Sequence, residues 1–168
     1  MRLGQSSTNN RNIDYPKLWD HVSRQFECEL DSIHGPTHWR RVEENGLAIA
    51  PHSGAIVEVV RLFAVFHDSR REHDGYDTTH GARGAGFAAS LRGVLFDLPD
   101  EEMKLLQYAC TWHTYGKLNQ DPTIGTCWDS DRLDLWRVGI QPSSRYMSTG
   151  HGRELAETRV FPTRSRRH

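Results

Sequence analysis

His34 and His38 lie four residues apart with Gly35 and Pro36 between them, and His67 is followed directly by Asp68. His80, His113 and Asp131 extend the set of side chains that could ligate a metal. Imidazole and carboxylate together suit a hard or borderline divalent cation, so the chemistry to expect is a site for Mn, Fe, Zn, Ni, Co or Mg. An adjacent His-Asp pair serves one ion only where the backbone turns, since neighbouring side chains otherwise diverge. A helix end supplies that turn. His67-Asp68 closes an apolar run, His80 precedes a helical pattern and His113 ends one, so the positions fall at or beside helix ends.

The elements that must carry these residues follow from apolar spacing. Leu18, Trp19, Val22, Phe26 and Leu30 recur at helical intervals and predict a helix over Tyr15–Leu30, with Pro16 in its first turn. A second helix is expected from Thr37, as N-cap, to Ala50, broken by Pro51 and Gly54. Ala55–Phe66 is apolar on most faces and reads as the central buried helix. After a polar loop over Asp68–Thr79, a fourth helix covers Gly81–Phe96. A fifth runs from the acidic start Pro99-Asp100-Glu101-Glu102 to about His113. Residues 114–127 read as loop, and a short sixth helix spans Asp129–Val138, with Asp131 at its start. No stretch alternates with a period of two, so the fold class is all-α.

The bulk properties exclude several classes. Net charge is −1 and 26% of residues are charged, which marks neither a long nucleic acid nor an acidic tail as a partner. Cys28, Cys110 and Cys127 are odd in number and form no CxxC pair, which suits a reducing cytoplasm. No run approaches the ~20 apolar residues of a membrane span, and the polar N-terminus lacks a signal peptide's apolar core. The expected organisation is a disordered N-terminus over 1–12, one domain over 13–150 and a basic C-terminal tail over 151–168.

The segment His38-Trp39-Arg40-Arg41-Val42 resembles the opening H-x-x-R-V of the HD superfamily. His67-Asp68 resembles its namesake dyad, and Asp131-Arg132-Leu133-Asp134 the D-x-L segment that supplies a last aspartate. The resemblance covers residues 30–140. It implies a helical bundle of about six helices, a divalent metal on His38, His67, Asp68 and Asp131, and metal-dependent hydrolysis of a phosphoester, commonly a nucleotide or related small molecule. His80 and His113 stand where two-metal members such as the HD-GYP phosphodiesterases carry further histidines, so a second ion bridged by Asp68 is implied. Gly75-Tyr76-Asp77 departs from the GYP signature and Ser69-Arg70-Arg71 from the Gly-Lys after that family's dyad, which argues against a cyclic dinucleotide. Glu72, Asp74 and Asp77 are candidates for the acidic residue that nucleotidase members carry after the dyad. Two other functions fit the same ligands: a di-iron oxygenase, and a non-catalytic nucleotide sensor.

Around the ion, Asp68 is a candidate bridging and catalytic carboxylate. His34 serves either as a proton carrier or as a turn residue. Arg70 and Arg71 are candidate phosphate donors or a solvated charged loop, with Lys117 and Arg145 behind them. Arg41 is expected to pair with an acid. His21, His52, His73, His151 and His168 read as surface residues. Trp39, Trp128 and Trp136 read as core or pocket wall.

Overall fold

The computed structural model describes residues 11–163. It holds α1 (Tyr15–Arg24), α2 (Pro36–Ser53), α3 (Val57–Phe66), α4 (His80–Leu91), α5 (Asp100–Trp112), α6 (Pro122–Arg132) and α7 (Gly150–Thr158), with 3-10 turns at Leu135–Val138 and Ser144–Tyr146. Among the described residues there is no strand, only an isolated bridge between Arg92 and Phe96.

α3 is the axis of the bundle. Val59, Val60 and Leu62 to Phe66 are fully buried, packed by α2, α5, α6 and α4. Each such side chain contributes ~1.5–3 kcal/mol relative to exposure, which is why this helix needs no polar face. α1, through Trp19, and the residue just past its end, Phe26, close one flank, their rings meeting Trp39 at 5.9 and 5.2 Å.

Several boundaries differ from the expectation, each for a local reason. α1 stops at Arg24, because the chain bends at Gln25 and delivers Phe26 to Trp39 from outside the helix. α2 is capped by Gly35, with Pro36 rather than Thr37 opening the first turn. It runs through Pro51 to Ser53 and ends at Gly54, whose φ of 78° suits only glycine. α4 ends at Leu91, since Gly93 adopts φ 79° and its N–H turns forward, away from the helix, to donate to Phe96 O at 2.7 Å. α6 begins at Pro122, where loop was expected. The Asp121 carboxylate caps it by accepting from the N–H groups of Thr123 and Ile124, both at 2.9 Å. Asp131 therefore lies in the last turn of α6 and not at a helix start.

The stretch after residue 150 is not a loose tail over its whole length. α7 packs on α2 and α6, and Ala156 joins Ile49, Leu133 and Met147 in a small second core. The buried Asp129 carboxylate holds its start, accepting from Ser148 N at 2.6 Å, Thr149 N at 2.8 Å and Thr149 Oγ1 at 2.7 Å. α7 is the helix beyond the expected six. Residues 1–10 and 164–168 of the expected N-terminus and tail lie outside the described residues.

Glycine sets how closely α4 approaches its neighbours. A Cβ on Gly81 would sit 2.3 Å from Cys110 O, and one on Gly84 would sit 2.4 Å from Phe66 O. Backbone oxygen cannot yield as a side chain can, so α4 meets α5 and α3 at the limit that glycine allows. Gly86, on the same helix, faces open space. Gly81→Ala is therefore expected to destabilise the protein by ~1–3 kcal/mol. Gly86→Ala should instead stabilise it by up to ~1 kcal/mol through helix propensity alone. Denaturant midpoints of the two variants check this. Equal shifts in one direction would contradict the close contact.

Candidate metal centre

Four histidines converge from four elements, and each has its Nδ1 occupied. His38, in the first turn of α2, donates from Nδ1 to Asp134 Oδ2 at 2.6 Å. His67, at the end of α3, directs Nδ1 to the carbonyls of Phe63 and Ala64 at 3.1 and 3.0 Å. His80, opening α4, donates to Asp77 O at 2.5 Å, and His113, closing α5, to Cys110 O at 2.7 Å. With each Nδ1 engaged by an oxygen acceptor, every Nε2 is turned inward, the atom that ligates a cation once it is free of its proton.

The Nε2 atoms crowd together. His38 Nε2 lies 3.1 Å from His67 Nε2, and His80 Nε2 lies 3.0 Å from His113 Nε2. Asp68 stands between the pairs. Its Oδ2 lies 3.4 and 3.5 Å from the Nε2 atoms of His38 and His67, and its Oδ1 lies 3.3 and 3.4 Å from those of His80 and His113. Asp131 Oδ1 joins the first pair at 3.2 and 3.6 Å. Acceptors facing acceptors in a buried space repel unless a positive charge lies between them. The donor set thus fits a divalent cation among His38, His67, Asp68 and Asp131, and a second among Asp68, His80 and His113.

The Asp131 side chain is 17% exposed, whereas those of His38 and His67 are wholly buried and those of His80 and His113 nearly so. Burial opposes charge on His38, Asp68 and Asp131. On His38 it is outweighed by the carboxylates of Asp131, Asp134 and Asp68, which push the imidazole up to about 9. Asp68 and Asp131 sit well below the usual carboxylate range, because the surrounding histidines outweigh the same burial.

The other candidate residues separate clearly. Arg71 is buried beside the cluster, with Nε 3.5 Å from Asp68 Oδ1 and Nη1 donating to Gly75 O at 3.1 Å. Arg70 is turned away, its guanidinium 4.8 Å over the Phe87 ring. His34 is buried and donates from Nδ1 to Asp74 Oδ1 at 2.9 Å, and burial lowers its pKa although Asp68 acts to raise it. Of the three acids after the dyad, Asp74 thus holds His34 while Asp77 pairs with Arg83. Glu72 is exposed, its nearest cation Arg83 at 3.7 Å. Arg41 pairs with Asp134 at 2.7 Å, so the acid expected for it is the same one that orients His38. Sequence reasoning gave Asp134 no role. It stands just past the end of α6, closing the Asp131-Arg132-Leu133-Asp134 segment, and meets the His38 ring at the nitrogen opposite the one that faces Asp131.

The raised His38 pKa has a defined sign. Its usual value is 6.5, so its charged form stabilises the metal-free fold fully below pH 6.5, and that contribution is lost as pH rises toward about 9. An incoming cation must displace this proton. Apparent metal affinity should therefore rise with pH between 6.5 and 9 by up to ~tenfold per unit. Metal titrations at several pH values in non-chelating buffers check this, and a flat profile would remove His38 as a protonated ligand.

No protein-family model matches the chain. No curated protein matches it either. Among solved structures it is similar to the crystal structure of a predicted HD superfamily hydrolase from an uncultured Thermotogales bacterium. That protein is 25% identical, with a TM-score of 0.65 over 87% of this chain and 85% of the other. A similar helical bundle over that length, together with this chain's His67-Asp68 pair at the end of its central helix, supports the HD superfamily as the family this chain resembles.

Proposed function

We propose that the protein is a metal-dependent phosphohydrolase, acting as a phosphomonoesterase or phosphodiesterase on a nucleotide or small phosphoester. One observation carries the reading: Asp68 turns its two oxygens to two separate histidine pairs. That is the arrangement a carboxylate adopts between two cations. Divalent ions held by His38, His67, Asp68 and Asp131, and by Asp68, His80 and His113, would supply an activated water and neutralise charge on the phosphoryl oxygens.

The chain's own residues do the rest. Arg71, held by the carbonyls of His73 and Gly75 beside Asp68, offers its remaining N–H groups to a phosphoryl oxygen at the cluster. His34 is kept neutral by burial, and its Nδ1 proton is committed to Asp74. Its Nε2 is thus a base, suited to take a proton from the attacking water and return it to the departing oxygen. Arg70 has no part in this scheme, since its charge rests on Phe87.

Metal analysis and turnover of a phosphoester panel test the assignment together. The intact protein should bind close to two ions per chain. His80→Ala with His113→Ala should leave one, and Asp68→Ala should lose both metal and turnover. Arg71→Ala should lower kcat by ~10²-fold with metal content unchanged. Phosphate release that persists without oxygen supports hydrolysis. Full metal loading with no turnover of any phosphoester would overturn the proposal.

A further inference from the structure

A cleft of about 640 Å³, within the ~300–1,000 Å³ range of small-ligand sites, is lined by the chain neighbours of two candidate ligands, Thr114 after His113 and Arg132 after Asp131. One wall is the segment that follows His113, from Thr114 to Leu118, and the other runs from Ile140 to Met147. Thr114, which lines the cleft, has its Oγ1 3.4 Å from Nε2 of His80, a candidate ligand. Arg132, directly after Asp131, also lines it, and the Asp131 side chain is 17% exposed. Two other clefts, of about 480 and 630 Å³, lie beside Tyr15 and Pro99 and contain none of these residues.

The lining has a consistent chemistry. Tyr115, Tyr146, Leu118, Leu135, Ile140 and Met147 supply apolar and aromatic surface. Lys117, Arg132 and Arg145 supply positive charge, and no carboxylate lines the cleft. Arg132 is already engaged, donating to the carbonyls of Gly116, Lys117 and Tyr146 and so tying the two walls together. Lys117 and Arg145 are exposed and stand on opposite walls. A neutral sugar or an alkyl group would leave both cations unused, and a cationic group would be repelled.

We infer that this cleft holds the part of the substrate beyond the scissile phosphate, and that this part is an apolar, ring-bearing body with a second anionic group, met by Lys117 and Arg145. The substrate is then anionic at two separated points, one at the metal centre and one at the far end of the cleft. This rests on the phosphohydrolase reading for which end faces the metal, while the cleft's preference stands apart from turnover.

The test is therefore a binding measurement. Adenosine 3′-monophosphate carries a ring and one anion but no 5′-phosphate for the metal centre, and adenosine is its uncharged counterpart. Calorimetry on the metal-loaded full chain should find the monophosphate bound at least tenfold more tightly than adenosine. The preference should fall as salt screens it. In Lys117→Glu with Arg145→Glu it should drop to near onefold at an unchanged melting temperature. Equal binding of the two compounds by the intact protein would overturn the inference, as would a preference that survives the double charge reversal. Release of nitrophenol from p-nitrophenyl phosphate by the intact protein tests the phosphohydrolase reading separately. Its absence alongside a charge-dependent preference would sink that reading and leave the cleft's ligand class standing.

Discussion

Six acceptor groups point at one another from inside the bundle, and the rest of the molecule is organised around making that arrangement persist. Left alone, four imidazoles would rotate or take up protons to relieve the crowding of their lone pairs. They cannot rotate freely, because each Nδ1 is anchored: three to carbonyls in the last turns or loops of their own elements, one to Asp134. Those anchors cost little, since helix ends leave carbonyls without partners in any case. A helix terminus is thus the cheapest place in a protein from which to hold a histidine in one tautomer, and the centre draws on several of them.

Holding the ligands still is useful only if their helices approach closely enough. Small residues set that distance. Gly81 and Gly84 bring α4 against the backbones of α5 and α3, and a Cβ on Gly46 would meet Val60 Cγ1 at 2.4 Å where α2 crosses α3. The first contact sits one residue from His80, so the spacing of the His80–His113 pair and the packing of α4 on α5 are one quantity. The apolar core supplies stability, and the glycines convert it into ligand geometry.

The fold class and the central helix were legible because α3 is apolar on nearly every face and the ligand-bearing positions fall at breaks in pattern. α6 was hidden for the opposite reason. Its buried positions include Thr123, Gly125, Thr126 and Ser130, small or polar residues that show no hydrophobic period, so only the Asp121-Pro122 start signal announced it. The pair Arg70 and Arg71 could not be divided from sequence. Neighbouring residues point apart, and which one faced the centre depended on how the chain turned after Asp68. Asp134 was obscured because its two partners, His38 and Arg41, come from 96 and 93 residues earlier.

Arg132 occupies a singular place in this layout. Its backbone follows a candidate ligand, and its guanidinium spans both walls of the cleft it lines. Ion occupancy at Asp131 and the separation of those walls then share a covalent neighbour and a common strut. Two binding events that bias the same strut are thermodynamically linked, and the linkage is reciprocal. Whatever factor the ion adds to the affinity of a molecule in the cleft, that molecule must add to the affinity of the ion.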